Sequence, residues 1–140
     1  EVSAEMKRLL DEYNGKKTVT LEDILTFHVR FERIHPLQDG NGRVGRLILF
    51  KECLKYNIVP FIIEDSRKMF YYRGLQEWDR EKGYLTDTCL SAQDTFKKYL
   101  IISEYRMKTE KPRVFAKKDL VILQVKYTDS IDVHTIKYTR

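Results

Sequence analysis

The sequence of 140 residues contains no run of about 18 consecutive apolar residues, so it has no candidate for a membrane-spanning helix. Its first residues also lack the basic, apolar and small-residue order of a secretory signal peptide. Cysteine is scarce: Cys53 and Cys89 are too few for a disulfide framework and do not have the spacing of a zinc site. These absences predict a cytoplasmic protein with no membrane partner. The chain opens with Glu1 rather than Met, which predicts that it was processed or cut from a longer protein.

Low-complexity tracts and internal repeats are absent as well, and 42% of the residues are hydrophobic, which predicts a compact globular unit. The net charge of +5 is concentrated near the carboxyl end, because residues 103–140 hold nine Lys or Arg against five Asp or Glu. Residues 1–102 are therefore nearly balanced, with a net charge of +1. A basic tail of this kind is more often simply exposed to solvent than used to bind the phosphates of a nucleic acid. We therefore do not expect a nucleic-acid partner.

Apolar residues at helical spacing predict three helices in the first half of the chain. The first covers residues 3–13, and the second runs from an N-cap at Thr20 to about Ile34. The third, over about 42–56, is apolar around most of its circumference and is expected to be the central, buried helix. His28 lies on or beside the apolar stripe of the second helix. We expect a neighbouring side chain to satisfy its hydrogen-bonding groups there.

Two further helices are predicted at about 66–82, capped by Ser66 and ended by Gly83, and at 87–102. Beyond Pro112, apolar and polar residues alternate on both sides of a short turn, which predicts a β-hairpin or extended tail. The predicted fold class is therefore mainly α with a short β-rich tail. The predicted domains are a helical domain over 1–102 and a basic tail over 103–140.

The turn between the second and third helices leads directly into a helix start through Gly40, Asn41 and Gly42. Free backbone N–H groups at such a start, together with the positive end of the helix dipole, form an anion site. Arg43 and Arg46 are three residues apart and therefore lie on one side of the first turn. Their planar guanidinium groups suit phosphate. The pattern predicts a phosphate-binding turn.

Asp39 directly precedes this anion site. A carboxylate in that position repels an anion unless a cation lies between them, and Mg²⁺ bridging a carboxylate and substrate phosphates is the usual solution. His35, four residues earlier, can accept a proton from a hydroxyl near neutral pH. The segment thus combines a base, a metal ligand and phosphate-binding groups, which is typical of group transfer from a nucleotide.

Residues 35–46, HPLQDGNGRVGR, resemble the signature of the Fic family, His-Pro-Phe-x-(Asp/Glu)-Gly-Asn-Gly-Arg-x-x-Arg. The match holds at every specified position except the third, where Leu37 replaces Phe. The likeness extends over about residues 20–100. It implies a Fic-type helical domain that here lacks its first helices. It also implies a protein adenylyltransferase, which moves AMP from ATP onto a Ser, Thr or Tyr hydroxyl of a target protein.

The resemblance also implies a role for each residue of the segment. His35 would be the catalytic base, and Asp39 would hold Mg²⁺ or Mn²⁺ against the phosphates. The residues that would bind the phosphates are Gly40, Asn41, Gly42, Arg43 and Arg46. The segment that would border the adenine pocket contains Tyr71, Tyr72 and Leu75, although aromatic core packing explains these three equally well.

Several alternatives stay open at this stage. Gly42 favours AMP transfer over the phosphate transfer of Doc-type kinases, which usually carry Lys at this position. Transfer of another phosphate-containing group, removal of AMP, a homodimer, and the chain itself as the target are all compatible with the residues. A non-catalytic binding module that uses the basic tail is the alternative of another class. No inhibitory Ser/Thr-x-x-x-Glu-Gly/Asn sequence occurs in the 140 residues, so we expect that restraint, like the target-docking flap, to lie upstream.

Overall fold

The computed structural model describes the backbone of residues 1–109 and the side chains of residues 1–102. This part of the chain contains helices and no strand, which confirms the mainly α fold class. The hairpin predicted beyond Pro112 lies outside the described residues. The elements are α1 (Val2–Asn14), α2 (Leu21–Ile34), α3 (Asn41–Lys55), a 3₁₀ turn (Asp65–Arg67), α4 (Lys68–Gln76) and α5 (Gly83–Thr109).

The first three helices begin and end close to their predicted positions. The start of α2 has a capping box, in which the Thr20 hydroxyl accepts the N–H of Asp23 at 3.3 Å and the Asp23 carboxylate accepts the N–H of Thr20 at 2.9 Å. Two of the N–H groups at the helix start are thereby satisfied. α1 ends at Asn14, one residue beyond its predicted end.

The hydrophobic core lies where α2 packs against α1 on one side and α3 on the other. The prediction that α3 is the central, buried helix is wrong. α3 buries one face through Gly45, Leu49 and Cys53, while Leu47 on its other side is 52% exposed. α2 is the central helix because it has a neighbour on both sides and buries the larger apolar set, namely Ile24, Leu25, Phe27, Val29 and Phe31.

The prediction of one helix over 66–82 is also wrong. Ser66 lies inside the 3₁₀ turn rather than at a helix cap, and α4 ends at Gln76. The chain then turns, so that Trp78 is buried, and α5 begins at Gly83, where the Glu81 carboxylate accepts the Gly83 N–H at 3.0 Å. Burial of Trp78 and this local cap decide the break, and neither is visible in the apolar spacing.

Residues Glu1–Leu100 form one compact unit, and Ile101–Arg140 is a second, of which the structure describes only the end of α5. The domain boundary after residue 102 stays a prediction. Both cysteines are free and buried, and burial raises the pKa of the Cys53 thiol to about 12. Among residues 1–109, no helix has the length and apolar character needed to cross a membrane.

Candidate functional site

The loop between α2 and α3 starts at His35, whose backbone leaves the helix. His35 has φ 52° and ψ 58°, in the left-handed region, and its N–H donates to the Phe31 carbonyl at 3.1 Å. Pro36 disfavours a helical conformation at the residue before it, so the predicted departure from the helix at His35 is confirmed. A positive φ is uncommon for a residue with a side chain. The imidazole is exposed and therefore accessible to a ligand.

Asn41 holds the loop closed from inside. Its side chain is buried and makes two hydrogen bonds with the backbone of Leu37: Oδ1 accepts the Leu37 N–H at 2.8 Å, and Nδ2 donates to the Leu37 carbonyl at 2.6 Å. The hydrogen bonds of the Asn41 side chain therefore stabilise the loop. Only the backbone N–H of this residue could bind an anion.

The start of α3 is open. Gly40, the N-cap residue, has φ 82°, which glycine adopts without strain. No side chain caps the helix, and its first turn has no intrahelical acceptor for its N–H groups. The N–H groups of Asn41, Gly42 and Arg43 therefore have no acceptor within the helix and lie at the positive end of the helix dipole. The helix start lies close to its predicted position, and its role as an anion site stays a prediction.

The two arginines of the segment lie over these glycines. A Cβ atom at Gly40 would be 3.4 Å from Nη2 of Arg43, and one at Gly42 would be 3.1 Å from Nη1 of Arg46. Both guanidinium groups therefore lie beside the first turn of α3. The predicted pair of phosphate-binding arginines occupies the same end of this helix.

Asp39 is the most exposed charged group of the loop. Its side chain is 92% exposed, and it receives the Gly40 N–H at 2.7 Å and Nη2 of Arg43 at 3.1 Å. Because both partners of the ion pair are exposed, the pair contributes at most about 1 kcal/mol. Asp39 can therefore exchange Arg43 for a cation at low cost.

No cluster of three or more His, Cys, Asp or Glu side chains that could hold a metal ion occurs in the described part of the chain. An ion at Asp39 would thus depend on one carboxylate and on phosphate oxygens. Mg²⁺ is commonly held in this way, since it keeps several waters and takes one or two carboxylates together with substrate phosphates. The donor set fits such an ion.

The predicted residues of α4 face different ways. Tyr71 is 1% exposed, Tyr72 is 51% exposed, and Leu75 packs at the edge of the core. Tyr72 is therefore the residue of this group that a ligand can reach directly. The assignment of all three to an adenine pocket stays a prediction.

A buried polar cluster beneath the loop was not predicted. His28 is 1% exposed, and its Nε2 lies 2.5 Å from the Tyr71 hydroxyl. Oε1 of Glu32, one helical turn further along α2, lies 3.9 Å from the same nitrogen. Tyr71 thus satisfies one ring nitrogen of His28, as expected, whereas the buried Nδ1 has no hydrogen-bond partner in the described structure. The His-x-x-x-Glu spacing on α2 was the signal in the sequence.

Gly45 allows this cluster to contact the backbone of α3. A Cβ atom at Gly45 would overlap Oε1 of Glu32 and would come within 3.0 Å of Cε1 of His28. The glycine thus allows the two α2 side chains to rest directly on the backbone of α3. Arg46 is the next residue, and its charge affects the pKa of His28, Glu32 and Tyr71.

Titration of His28 predicts a pH-dependent stability. Burial, and next the positive charge of Arg46, lower the pKa of His28 to about 4, whereas an unfolded histidine titrates near ~6.5. Between these values the unfolded chain binds a proton that the folded chain excludes, so stability falls as the pH falls through this window. Burial raises the pKa of Glu32, so the folded state retains that proton more readily and offsets part of the loss at the lower end.

We expect the free energy of unfolding in urea to decline as the pH is lowered through this window, and His28→Gln to flatten that decline. Exposed His35 provides the matched control, since His35→Gln removes a histidine that is not buried. If the free energy of unfolding falls equally steeply with pH in wild type and His28→Gln, His28 is not responsible for the loss of stability at low pH.

The described structure also contains a cavity away from the start of α3. It has a volume of about 280 Å³, and its lining residues are Glu5, Arg8, Arg30, Arg33 and Ile34. Two of its arginines are already engaged, Arg30 with Glu12 and Arg33 with Asp79. None of the residues predicted to bind phosphate lines this cavity.

Comparison with known proteins finds a family similarity in the first part of the chain. Residues 1–52 match the family model described as the Fic/DOC family. This segment contains α1, α2, the loop and most of α3, and therefore every predicted site residue except those of α4.

Individual relatives carry related names. The protein adenylyltransferase fic-1 of Caenorhabditis elegans is 30% identical over 77 residues, which is 53% of this chain and 15% of that protein. A probable protein adenylyltransferase of Aquifex aeolicus is 34% identical over 64 residues, covering 46% of this chain and 19% of the relative. The protein adenylyltransferase Fic of Aedes aegypti is 37% identical over 49 residues, or 35% and 10% of the two chains. The chain thus aligns with less than a fifth of each of these relatives.

Proposed function

We propose that this chain is a Fic-type protein adenylyltransferase, which transfers AMP from ATP to a Ser, Thr or Tyr hydroxyl of a target protein. The observation that carries the proposal is the open start of α3, with the exposed His35 and Asp39 on the loop that leads into it. The Fic/DOC match over residues 1–52 and the names of the relatives support the same activity.

The phosphates of ATP would bind at the first turn of α3. The uncapped N–H groups of Asn41, Gly42 and Arg43 would meet phosphate oxygens, and the guanidinium groups of Arg43 and Arg46 lie at the same turn. Little covalent chemistry is required of a protein in phosphoryl-type transfer, so positioning and charge neutralisation account for most of the catalysis.

Asp39 is the proposed ligand of Mg²⁺ or Mn²⁺. Such an ion supplies positive charge that neutralises the phosphates as pyrophosphate departs. The contribution of the protein is an exposed carboxylate whose partner, Arg43, can turn to the phosphates.

His35 is the proposed general base. It would take the proton of the target hydroxyl while the hydroxyl oxygen bonds to the α-phosphorus of ATP and the bond from that phosphorus to pyrophosphate breaks. The left-handed backbone at residue 35 turns the chain out of α2, and the following loop, closed by Asn41, leads to the phosphate-binding turn.

The adenine ring would lie near α4, where Tyr72 exposes half of its side chain. An aromatic face of this kind suits stacking against a base. Leu75, at the edge of the core, would contribute apolar contact.

The proposal is tested by incubating the chain with Mg²⁺, a cell lysate and ATP labelled on either the α- or the γ-phosphate. AMP transfer places the α-label, and not the γ-label, on a protein band, which includes the chain itself if it is its own target. Labelling from γ alone would indicate a kinase, and labelling from neither would contradict the proposal. Parallel reactions with labelled UTP or a phosphocholine donor identify a different transferred group.

The alternative of a non-catalytic module rests on the basic tail, which lies outside the described residues. Nothing in α1–α5 favours it over the open phosphate-binding turn. For such a module, binding of its partner should depend on salt concentration and should weaken when lysines of the tail are removed. Replacement of His35 should leave this binding unchanged. Both statements stay predictions.

A further inference from the structure

We propose that the cavity between α1 and α2 binds an acidic side chain of the target protein, close to the hydroxyl that receives the AMP. The lining residues are Glu5, Arg8, Arg30, Arg33 and Ile34. The affinity of this cavity for a carboxylate is independent of the proposed function. The assignment of that carboxylate to a target protein rests on the proposed function.

The cavity lies where α1 begins and α2 ends, because these two helices pack in opposite directions. The ring of Tyr13, at the end of α1, is 4.8 Å from the ring of Phe27, in the middle of α2. Residues from the first half of α1 and the last two turns of α2 line the cavity. It is therefore open at the end of α2 from which the predicted site loop departs.

The cavity begins beside the proposed general base. Ile34, the last residue of α2, lines it, and His35 is the next residue along the chain. An extended peptide advances by about 3.3 Å per residue, so a side chain two or three residues from the reacting hydroxyl is about 7–10 Å from it. A peptide whose hydroxyl lies at His35 therefore has a neighbouring side chain within reach of the cavity.

The lining contains three arginines and one acidic residue, Glu5. Two of the arginines have partners: Arg30 pairs with Glu12, and Arg33 pairs with Asp79 at 2.8 Å. The side chains of both pairs are at least 38% exposed. Exposed ion pairs are weak, so a carboxylate of a ligand can replace Glu12 or Asp79 at little cost.

Arg8 is the arginine of the cavity that has no partner of its own. Within residues 1–102 it forms neither an ion pair nor a hydrogen bond. A planar guanidinium group can donate two parallel hydrogen bonds to one carboxylate. Glu5 lies one helical turn before Arg8 and lines the same cavity, where its charge opposes an anion. Arg8 is therefore the main carboxylate-binding group of the proposed site.

The size of the cavity favours one side chain over a whole ligand molecule. Its volume of about 280 Å³ is just below the range of about 300–1,000 Å³ that is typical of small-molecule pockets. Ile34 gives the lining an apolar surface, which suits the methylene groups of an acidic side chain. The size and the charges together fit an Asp or Glu side chain that is carried by a peptide.

The test compares two synthetic peptides that contain the same Ser, Thr or Tyr and differ only in having Glu or Gln at the flanking positions. Their binding to the full 140-residue chain is measured by fluorescence anisotropy without nucleotide. We expect the Glu peptide to bind about three- to tenfold more tightly, as for charged hydrogen bonds at a partly exposed site. Succinate, a free dicarboxylate, should compete weakly. Equal affinities of the two peptides, or tighter binding of succinate than of the Glu peptide, would overturn the proposal.

Three variants of α1 connect this preference to the cavity. We expect Arg8→Gln to weaken binding of the Glu peptide by about three- to tenfold and Glu5→Gln to strengthen it. Lys7→Gln removes the same charge from an adjacent exposed residue that does not line the cavity, so it should have little effect. Destabilisation does not produce effects of opposite sign. Full preference for Glu in Arg8→Gln, or an equal loss in Lys7→Gln, contradicts the assignment.

Transfer kinetics separate this inference from the proposed function. With α-labelled ATP, we expect a lower KM for the Glu peptide and a similar kcat for both peptides, because the carboxylate does not touch the reacting atoms. Arg8→Gln should remove the difference in KM. Transfer with equal KM values overturns this inference and leaves the proposed function standing. Tighter binding of the Glu peptide, with no α-label on any peptide or lysate protein, supports a carboxylate site and overturns the proposed function.

Discussion

His35→Ala is expected to lower the rate of AMP transfer by about 10²–10⁴-fold, the usual contribution of a well-placed general base. ATP affinity is expected to change little, because the proposed phosphate contacts come from the start of α3 rather than from residue 35. The rate is measured with α-labelled ATP under single-turnover conditions, and the affinity by calorimetry. The two measurements together separate a role in the chemical step from a role in binding.

Gln38→Ala is the matched control for this variant. Gln38 is exposed, lies in the same loop and has no role in the proposed mechanism, so its loss should leave transfer and ATP affinity unchanged. Transfer by His35→Ala at the wild-type rate would show that His35 is not the base. A loss of ATP affinity as large as the loss of rate would show instead that His35 holds the nucleotide.

Gly74→Ala is expected to reduce the free energy of unfolding by about 2–3 kcal/mol, in the upper part of the range for overpacked cores. A Cβ atom at Gly74 would lie 2.6 Å from Cα and 2.7 Å from N of Leu85. These are backbone atoms, so α4 and α5 would have to separate. The gain of about 1 kcal/mol in helix propensity offsets only part of this cost. Chemical denaturation measures the change.

Gly83→Ala is the matched control for Gly74→Ala. The nearest atom to a Cβ at Gly83 is Oε1 of Glu81 at 2.8 Å, the far end of a flexible side chain that can move. We expect a change within about 1 kcal/mol, the typical cost of a weakened helix cap. If Gly74→Ala is as stable as Gly83→Ala, the close contact between α4 and α5 does not form in solution.

The loop was predictable because its geometry is local. A proline fixes the conformation of the residue before it, Gly40 allows a left-handed N-cap, and the turn leads straight into a helix. The capping box at the start of α2 is equally local, since Thr20 and Asp23 are three residues apart. Features of this kind depend on neighbours in sequence, which the sequence displays directly.

The end of α4 was not predictable in this way. Apolar spacing continues past Gln76, but the helix stops there because burial of Trp78 and packing of Gly74 on Leu85 turn the chain back. The central position of α2 likewise depends on which helices pack against it. These outcomes are set by contacts between residues distant in sequence, and spacing along one helix contains no record of them.

By itself, the sequence determined the helical class, the first three helices and the turn that leads into α3, because each depends on backbone preferences over a few residues. Tertiary structure alone decided that His28 on α2 and Tyr71 on α4 meet. Tyr71 is 43 residues from His28, and only the packing of α4 against α2 brings its hydroxyl to the imidazole. The residues of a turn are visible from local sequence, but the partner of a buried side chain can come from a distant helix, which is brought close by burial of apolar surface.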